Sequence, residues 1–189
     1  MSSFQNLLNS RRTIYHFTNQ EIKEADLEIA FKAASNAPCH KQTHPWKYYV
    51  LGEKTRESLL PTVILLAEEK HNRKKDGERK YVSRAVSKIV DVPVIIAVTT
   101  KLSPDDSFRE EEDYAATVCS IHNLVLSLWD LGIGSQWSTG GITRHQSTYE
   151  ILGINRQQER IVGFLKIGYP KDIPTKEKKK VSDIRKYLP

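Results

Sequence analysis

Hydrophobic positions change period several times along the chain, and the changes mark its elements. Phe4, Leu7 and Leu8 share one side of a short helix over Ser3–Ser10. The next segment, RRTIYHFTNQ, reads as irregular or extended. Thr18 or Asn19 can cap a second helix, with Glu21 three residues after Thr18 in capping-box spacing. Ile22, Ala25, Ile29, Ala30, Ala33 and Ala34 give that helix its face. It should run to about Asn36, because Pro38 disfavours continuation. WKYYVLG is aromatic and β-branched and stops at Gly52, as a strand does. Glu53–Glu69 is helical in pattern but contains Pro61, which predicts two short helices or a kink. Residues 70–90 are basic and helix-prone, with poorly defined bounds.

VPVIIAVTT, at 92–100, is a run of apolar, largely β-branched residues without alternation. That is the pattern of a strand buried on both faces, in a sheet covered by helices on both sides. Asp113–Leu131 carries a stripe of Tyr114, Val118, Ile121, Val125 and Leu128. Leu124, Leu126 and Trp129 widen it nearly all round, as for a helix buried in a core or an interface. Asp113 is placed near its N-terminus, favourable to the helix dipole, and Gly132 follows as a stop. IGSQWST reads as a strand, Thr143–Leu152 as a helix, and RIVGFLKIGYP as a strand ending in a turn. From Lys171 the tail is polar and irregular. The order α-α-β-α-β-α-β-α-β predicts one α+β domain over residues 1–189, without an internal repeat or a separating linker.

Composition narrows the functional classes. The chain has 189 residues, 39% hydrophobic and 28% charged, with a net charge of +6. This suits a soluble domain with a real core and admits phosphate-bearing ligands. Much of the positive charge is local, in Lys70–Lys80 and Lys176–Lys180. Such runs read as solvated surface rather than a nucleic-acid interface. Cys39 and Cys119 belong to no CxxC pair, so neither a disulfide framework nor a zinc site is implied. The N-terminus lacks a signal-peptide core and no apolar run has membrane-spanning length. The expected location is the cytoplasm, with no membrane partner.

Three stretches carry candidate chemistry. Arg11-Arg12-Thr13 offers two guanidinium forks and a hydroxyl for an anion, or alternatively a cationic cap on the preceding helix. The loop at 38–44 gathers Cys39, His40, Lys41, Gln42 and His44. His40 and His44 lack further ligands for a metal site. Cys39 beside a histidine is not by itself a thiolate nucleophile. A loop of donors serving a polar ligand fits better. In LGIGSQWSTG, Gly132 and Gly134 precede a strand. The third glycine of a phosphate-binding GxGxxG is missing, and Trp137 is either core or the flank of a flat ligand.

In combination and order, these blocks resemble the nitroreductase family of flavoproteins. RRTIYHF is similar to its R-R-S-x-R-x-F signature, and NAPCHKQTHPWKYYVL to its A-P-x-x-x-N-x-Q-P-W-x-F-x-V block. The latter is more similar still to a subgroup of small members with A-P-x-H-K followed by P-W. DYAATVCSIHNLVLSLWDLGIGSQWSTG resembles the central helix and following strand, and IVGFLKIGYP the last core strand. The resemblance implies a three-layer α/β/α sandwich with a mostly antiparallel central sheet. It also implies an intertwined homodimer binding FMN non-covalently at the subunit interface. Arg11, Arg12 and Thr13 would hold the FMN phosphate and ribityl chain. Asn36 and His40 would reach the flavin of the other subunit. Trp137, Ser138 and Thr139 would line the same site, and Lys179 falls near a phosphate-binding basic residue. Tyr15 stands where the signature often has a cation, which bears on flavin redox tuning. His40 and Thr43 replace the more general Asn and its polar neighbour.

The implied reaction is ping-pong transfer of a hydride from NAD(P)H to flavin, then of two electrons to a small nitroaromatic or quinone-like acceptor. No side chain is nominated as catalytic acid, base or metal ligand. The competing expectations are a flavin-binding or flavin-carrier protein with little turnover, and a basic nucleic-acid-binding domain.

Overall fold

Four strands form one sheet, ordered β1-β2-β4-β3, and every pairing of neighbours is antiparallel. They are β1 (Trp46–Val50), β2 (Val94–Lys101), β3 (Gly134–Ser138) and β4 (Glu159–Gly168). The computed structural model describes residues 3–72 and 78–189. Among these residues six α-helices accompany the sheet: α1 (Ser3–Ser10), α2 (Glu24–Ser35), α3 (Glu53–Asn72), α4 (Glu78–Val90), α5 (Ser107–Asp130) and α6 (Gln146–Leu152). The result is an α+β three-layer sandwich.

Strand parity distributes the core. On β2, Ile96 and Val98 turn to the layer made by α2 and α5, where they meet Ala30, Ala34, Ile121, Leu124 and Leu128. Ile95 and Ala97 turn to the other layer, against Leu59, Val63 and Tyr149 of α3 and α6 and Ile89 of α4. All four are fully buried, so the unbroken apolar run at 92–100 reports a strand covered on both faces. A bulge where β2 meets β4, between Val98 and Thr99, shifts parity by one. Beyond it Ile161 faces α3 and α6, and Val162 faces α5.

Polar groups fasten these layers. Arg56 of α3 donates to the carbonyls of Leu51, Val92 and Pro93 at 2.6–3.0 Å, tying the helix to the end of β1 and the start of β2. Glu159 accepts from Lys47, Tyr49 and Thr99 at 2.5–3.0 Å, joining β1, β2 and β4. Tyr48 and Ser120 share a 2.8 Å bond, and the Ser120 hydroxyl donates to the Ala34 carbonyl at 2.9 Å. Burial pushes the Tyr48 phenol up to about 12 despite the Ser120 bond.

Element bounds differ from expectation in four places. α2 starts at Glu24 behind Lys23, not at Thr18 or Asn19. Thr18 is drawn instead into the extended segment 13–18, where its N–H bonds the Tyr169 carbonyl at 2.9 Å. α3 is a single helix through Pro61, which sits on the exposed side with Glu57, the residue whose carbonyl it cannot serve. α5 begins at Ser107, capped by the Asp106 carboxylate accepting from the Arg109 N–H at 2.9 Å. Its first turns are charged and carry no apolar stripe. Asp113 is therefore interior and buried rather than terminal. Residues 141–143 form a 3₁₀ turn, and α6 starts only at Gln146. The basic tract Lys70–Lys80 crosses residues 73–77, which lie outside the described residues.

Candidate functional site

The segment after α1 sets up the site. It runs beside β3 and the end of β4, with Thr13 bridged to Ser135 and Phe17 to Pro170. The Ile14 N–H bonds the Ser135 carbonyl at 3.0 Å, and the Lys171 N–H bonds the His16 carbonyl at 3.0 Å. Glycines make this approach possible. A Cβ at Gly134 would collide with Ile14, and one at Gly168 with Phe17.

Between this segment, α4 and the sheet opens a cavity of about 1000 Å³. Its walls include Tyr15, Arg84, Lys88, Gln136, Lys166 and Lys171. A second cavity, of about 430 Å³, adjoins it and shares Arg84, Lys88 and Lys166. It adds Val63, Leu66, Ala85, Ile89 and Ile142 together with Lys70, and it is closed by Thr139 and Gly141. Together they form a cleft whose walls mix cations with apolar side chains, which suits a flat ligand bearing an anionic group.

Lys166 is the most unusual group in the cleft. It interrupts the apolar run of β4, pairs across strands with Ile95 and Gln136, and is only 5% exposed. No carboxylate pairs with it among the described residues. Asp172, in the same cavity, bonds His16 at 3.0 Å. Burial, and then the charge of Lys88, lowers the Lys166 ammonium to about 8. Gln136, Arg84, Lys88 and Lys166 were not singled out from sequence. The signal available was a lysine inside IVGFLKIG, where a strand core tolerates a charge only for a reason.

The expected site residues are divided by the fold. Thr139 closes the cleft. Ser138 pairs with Phe164, on the α3/α6 side of the sheet. Trp137 pairs with Leu165 and so points to the α2/α5 side, away from the cleft. The alternation of β3 puts Gln136, rather than Trp137, on the cleft side of its own chain. The Trp137 ring covers Gly163 and stays 39% exposed. Arg11 and Arg12 are half-buried at the end of α1. Arg12 already donates to the carbonyls of Asn9 and Arg11 at 2.7 and 2.9 Å, so the capping role holds for it. Lys179 lies exposed on the irregular tail.

Asn36 and His40 lie on the other layer. Asn36 caps α2, its side chain donating to the Lys32 carbonyl at 2.7 Å. His40 Nδ1 is 3.6 Å from Glu112 of α5. The loop between them and β1 is unusual: Lys41, Gln42 and His44 all have positive φ, at 51°, 53° and 43°. Each non-glycine residue held there costs about 1–3 kcal/mol, a pattern that clusters at functional sites. Cys39 Sγ is 3.9 Å from His44 Nδ1, too far for a proton relay. Among the described residues no group of three or more His, Cys, Asp or Glu side chains could hold a metal. No helix among them is long and apolar enough to cross a membrane.

The three-layer fold, with a partly cationic cleft beside its N-terminal segment, defines a scaffold suited to a flat anionic ligand. The nitroreductase family model matches residues 8–169, and the chain belongs to that family. YfhC of Bacillus subtilis (strain 168), named "Putative NAD(P)H nitroreductase", is 28% identical over 97% of this chain and 92% of its own length. YdjA of Escherichia coli (strain K12), with the same designation, is 26% identical over 87% and 86%. A nitroreductase-like family protein from Bacillus cereus superposes with a TM-score of 0.81 at 28% identity, covering 100% of this chain and 97% of that one. An iodotyrosine deiodinase solved with FMN and 3-iodo-L-tyrosine shares the fold, with a TM-score of 0.75 at 18% identity over 93% and 94%.

Proposed function

We propose that the protein is an FMN-dependent NAD(P)H oxidoreductase that passes two electrons to a nitroaromatic or quinone-like acceptor by a ping-pong mechanism, with one FMN-binding domain spanning residues 1–189. Family membership supports the class. The observation that carries the reading is the two-part cleft between the segment at 13–17, α4 and β3–β4, with a buried, unpaired lysine in its wall. The donor chemistry fits FMN, which needs cations and hydroxyls at its phosphate end and an amphipathic slot for its ring.

Arg11, Arg12 and Thr13 would hold the phosphate and ribityl chain, with Lys179 as a further cation, and Tyr15 and Gln136 would flank the ring. Ser138, Thr139 and Gly141 would close the far side, and Leu66 and Ile142 would exclude water. Bound FMN would supply the two-electron chemistry, so the protein's part is orientation, electrostatics and desolvation. The loop bearing Asn36 and His40 sits on the opposite layer from the cleft of its own chain. That separation supports a homodimer in which each subunit lends this loop, and the Trp137 face, to its partner's site. The exposed side of α5, with Tyr114, Ala115, Cys119 and His122, supplies a surface for such a dimer.

The visible spectrum of the purified protein tests this. Flavin bands, about one FMN released per chain and NAD(P)H consumption with a quinone are expected. A colourless protein that refuses added FMN overturns the reading. Flavin bands without turnover favour the flavin-carrier alternative.

A further inference from the structure

Lys166 sits where the two halves of the cleft join, since it is the β4 residue lining both. Its stem rises between Ile95 and Gln136 on neighbouring strands. The side chain is more than nine-tenths buried and lines both cavities, and among the described residues no carboxylate pairs with it. Arg84, Lys88 and Lys171 add positive charge around the same cavity. Asp91 and Asp172 also line it, but neither pairs with Lys166, and Asp172 is engaged by His16.

An uncompensated ammonium at this depth is costly unless a bound group repays it. The group it faces is set by position. The phosphate end is assigned to Arg11–Thr13, where the N-terminal segment enters beside β3. The cleft beyond Tyr15 is left to the ring, with the apolar wall of Leu66, Ala85, Ile89 and Ile142 on its far side. Tyr15, which lines the first cavity, brings no positive charge.

We propose that Lys166 is the charge that sets the redox poise of the bound isoalloxazine, stabilising it after electrons arrive rather than anchoring its phosphate. The proposal rests on the FMN reading above. A hydride brings two electrons and one proton, so each transfer leaves one extra negative charge on the ring while NAD(P)H departs as NAD(P)⁺. Lys166 meets that charge until the acceptor removes the two electrons. Lys166 is a tuning residue, not a proton donor in the reaction.

The test is a spectroelectrochemical titration of FMN-loaded wild type, K166M and K166R at pH 7, with oxidised-FMN dissociation constants measured in parallel. Expected for K166M is oxidised-FMN affinity within about threefold of wild type, with the preference for reduced over oxidised flavin down about tenfold. For a two-electron couple that ratio is a midpoint ~30 mV more negative. K166R should hold the wild-type potential. An unchanged potential in flavin-loaded K166M overturns the proposal and leaves the FMN reading intact. Loss of oxidised-FMN affinity without a potential shift overturns it too, and reassigns Lys166 to the phosphate. A wild type that binds no FMN overturns the underlying reading and this proposal with it.

Discussion

The Thr43 hydroxyl donates a 2.7 Å hydrogen bond to Oδ1 of Asp113, a carboxylate buried inside α5. Arg109, one turn earlier, lies 3.6 Å from the same oxygen. This contact pins the strained loop at 38–44 onto the long helix. A local sequence oddity thereby becomes a fixed surface that projects His40 and Lys41.

Thr43→Val should release that loop. A hydrogen bond to a charged group contributes about 1.5–3 kcal/mol, and the Asp113 carboxylate would lose one of its partners. Urea unfolding should show a loss in that range. Hydrogen exchange should rise first in residues 39–44. Unchanged exchange would mean that the loop is held by something else.

Arg11 and Arg12 should behave differently. The Arg12 guanidinium is committed to two carbonyls at the end of α1, whereas Arg11 has no such engagement. Arg11→Ala should weaken FMN binding by roughly 1.5–3 kcal/mol, the range for a charge-assisted hydrogen bond. Arg12→Ala should weaken FMN binding less and also cost the end of α1 its local cap. Flavin dissociation constants from fluorescence quenching check both, and an unaltered constant in Arg11→Ala removes it from the phosphate site.

Lys166 should leave a signature in the pH dependence of the flavin-free protein. Its folded pKa, near 8, lies below the ordinary lysine value of 10.5. Between those values the unfolded chain holds more protons, so this group adds stability as pH rises from about 8 to 10.5. Below pH 8 its burial penalty is complete. K166M should therefore be more stable than wild type by about 2–3 kcal/mol at pH 7, with the gap closing by pH 10.5. Denaturant melts at several pH values measure it, and a gap that does not change with pH would refute it.

Glu159 should act on the acid side. Burial works against its charge, but bonds from Lys47, Thr99 and Tyr49 hold its carboxyl below the usual glutamate value of 4.5. Its contribution is complete above that value and lost as pH falls through the lower, folded one. The stability difference between wild type and Glu159→Gln should shrink accordingly when measured from pH 6 to pH 3.

Gly163→Ala should displace Trp137, because the new Cβ would collide with the indole Nε1 and Cδ1. Overpacking of this kind costs about 1–3 kcal/mol. The half-exposed ring can swing outward, so the change should appear as a red-shifted tryptophan emission alongside the lost stability.

The order of elements was legible from sequence because it depends on short-range pattern. The apolar run at 92–100 could only be a doubly covered strand, and the stripe on residues 114–128 only a buried helix. The resemblance of the RRT, APCHK and GYP blocks placed the chain in its family before any contact was known. Helix starts fall elsewhere than expected at Thr18, whose backbone joins Tyr169, and at Asp113, which lies inside an α5 that begins at Ser107. Which side chains meet at the cleft depended on register between strands distant in sequence. Gln136 faces Lys166 and Trp137 faces Leu165 because of how β3 is laid on β4. A shift of one residue would exchange them. The separation of Asn36 and His40 from the cleft is likewise a matter of layers, which no local pattern encodes. The burial of Lys166 likewise follows from its register between Ile95 and Gln136.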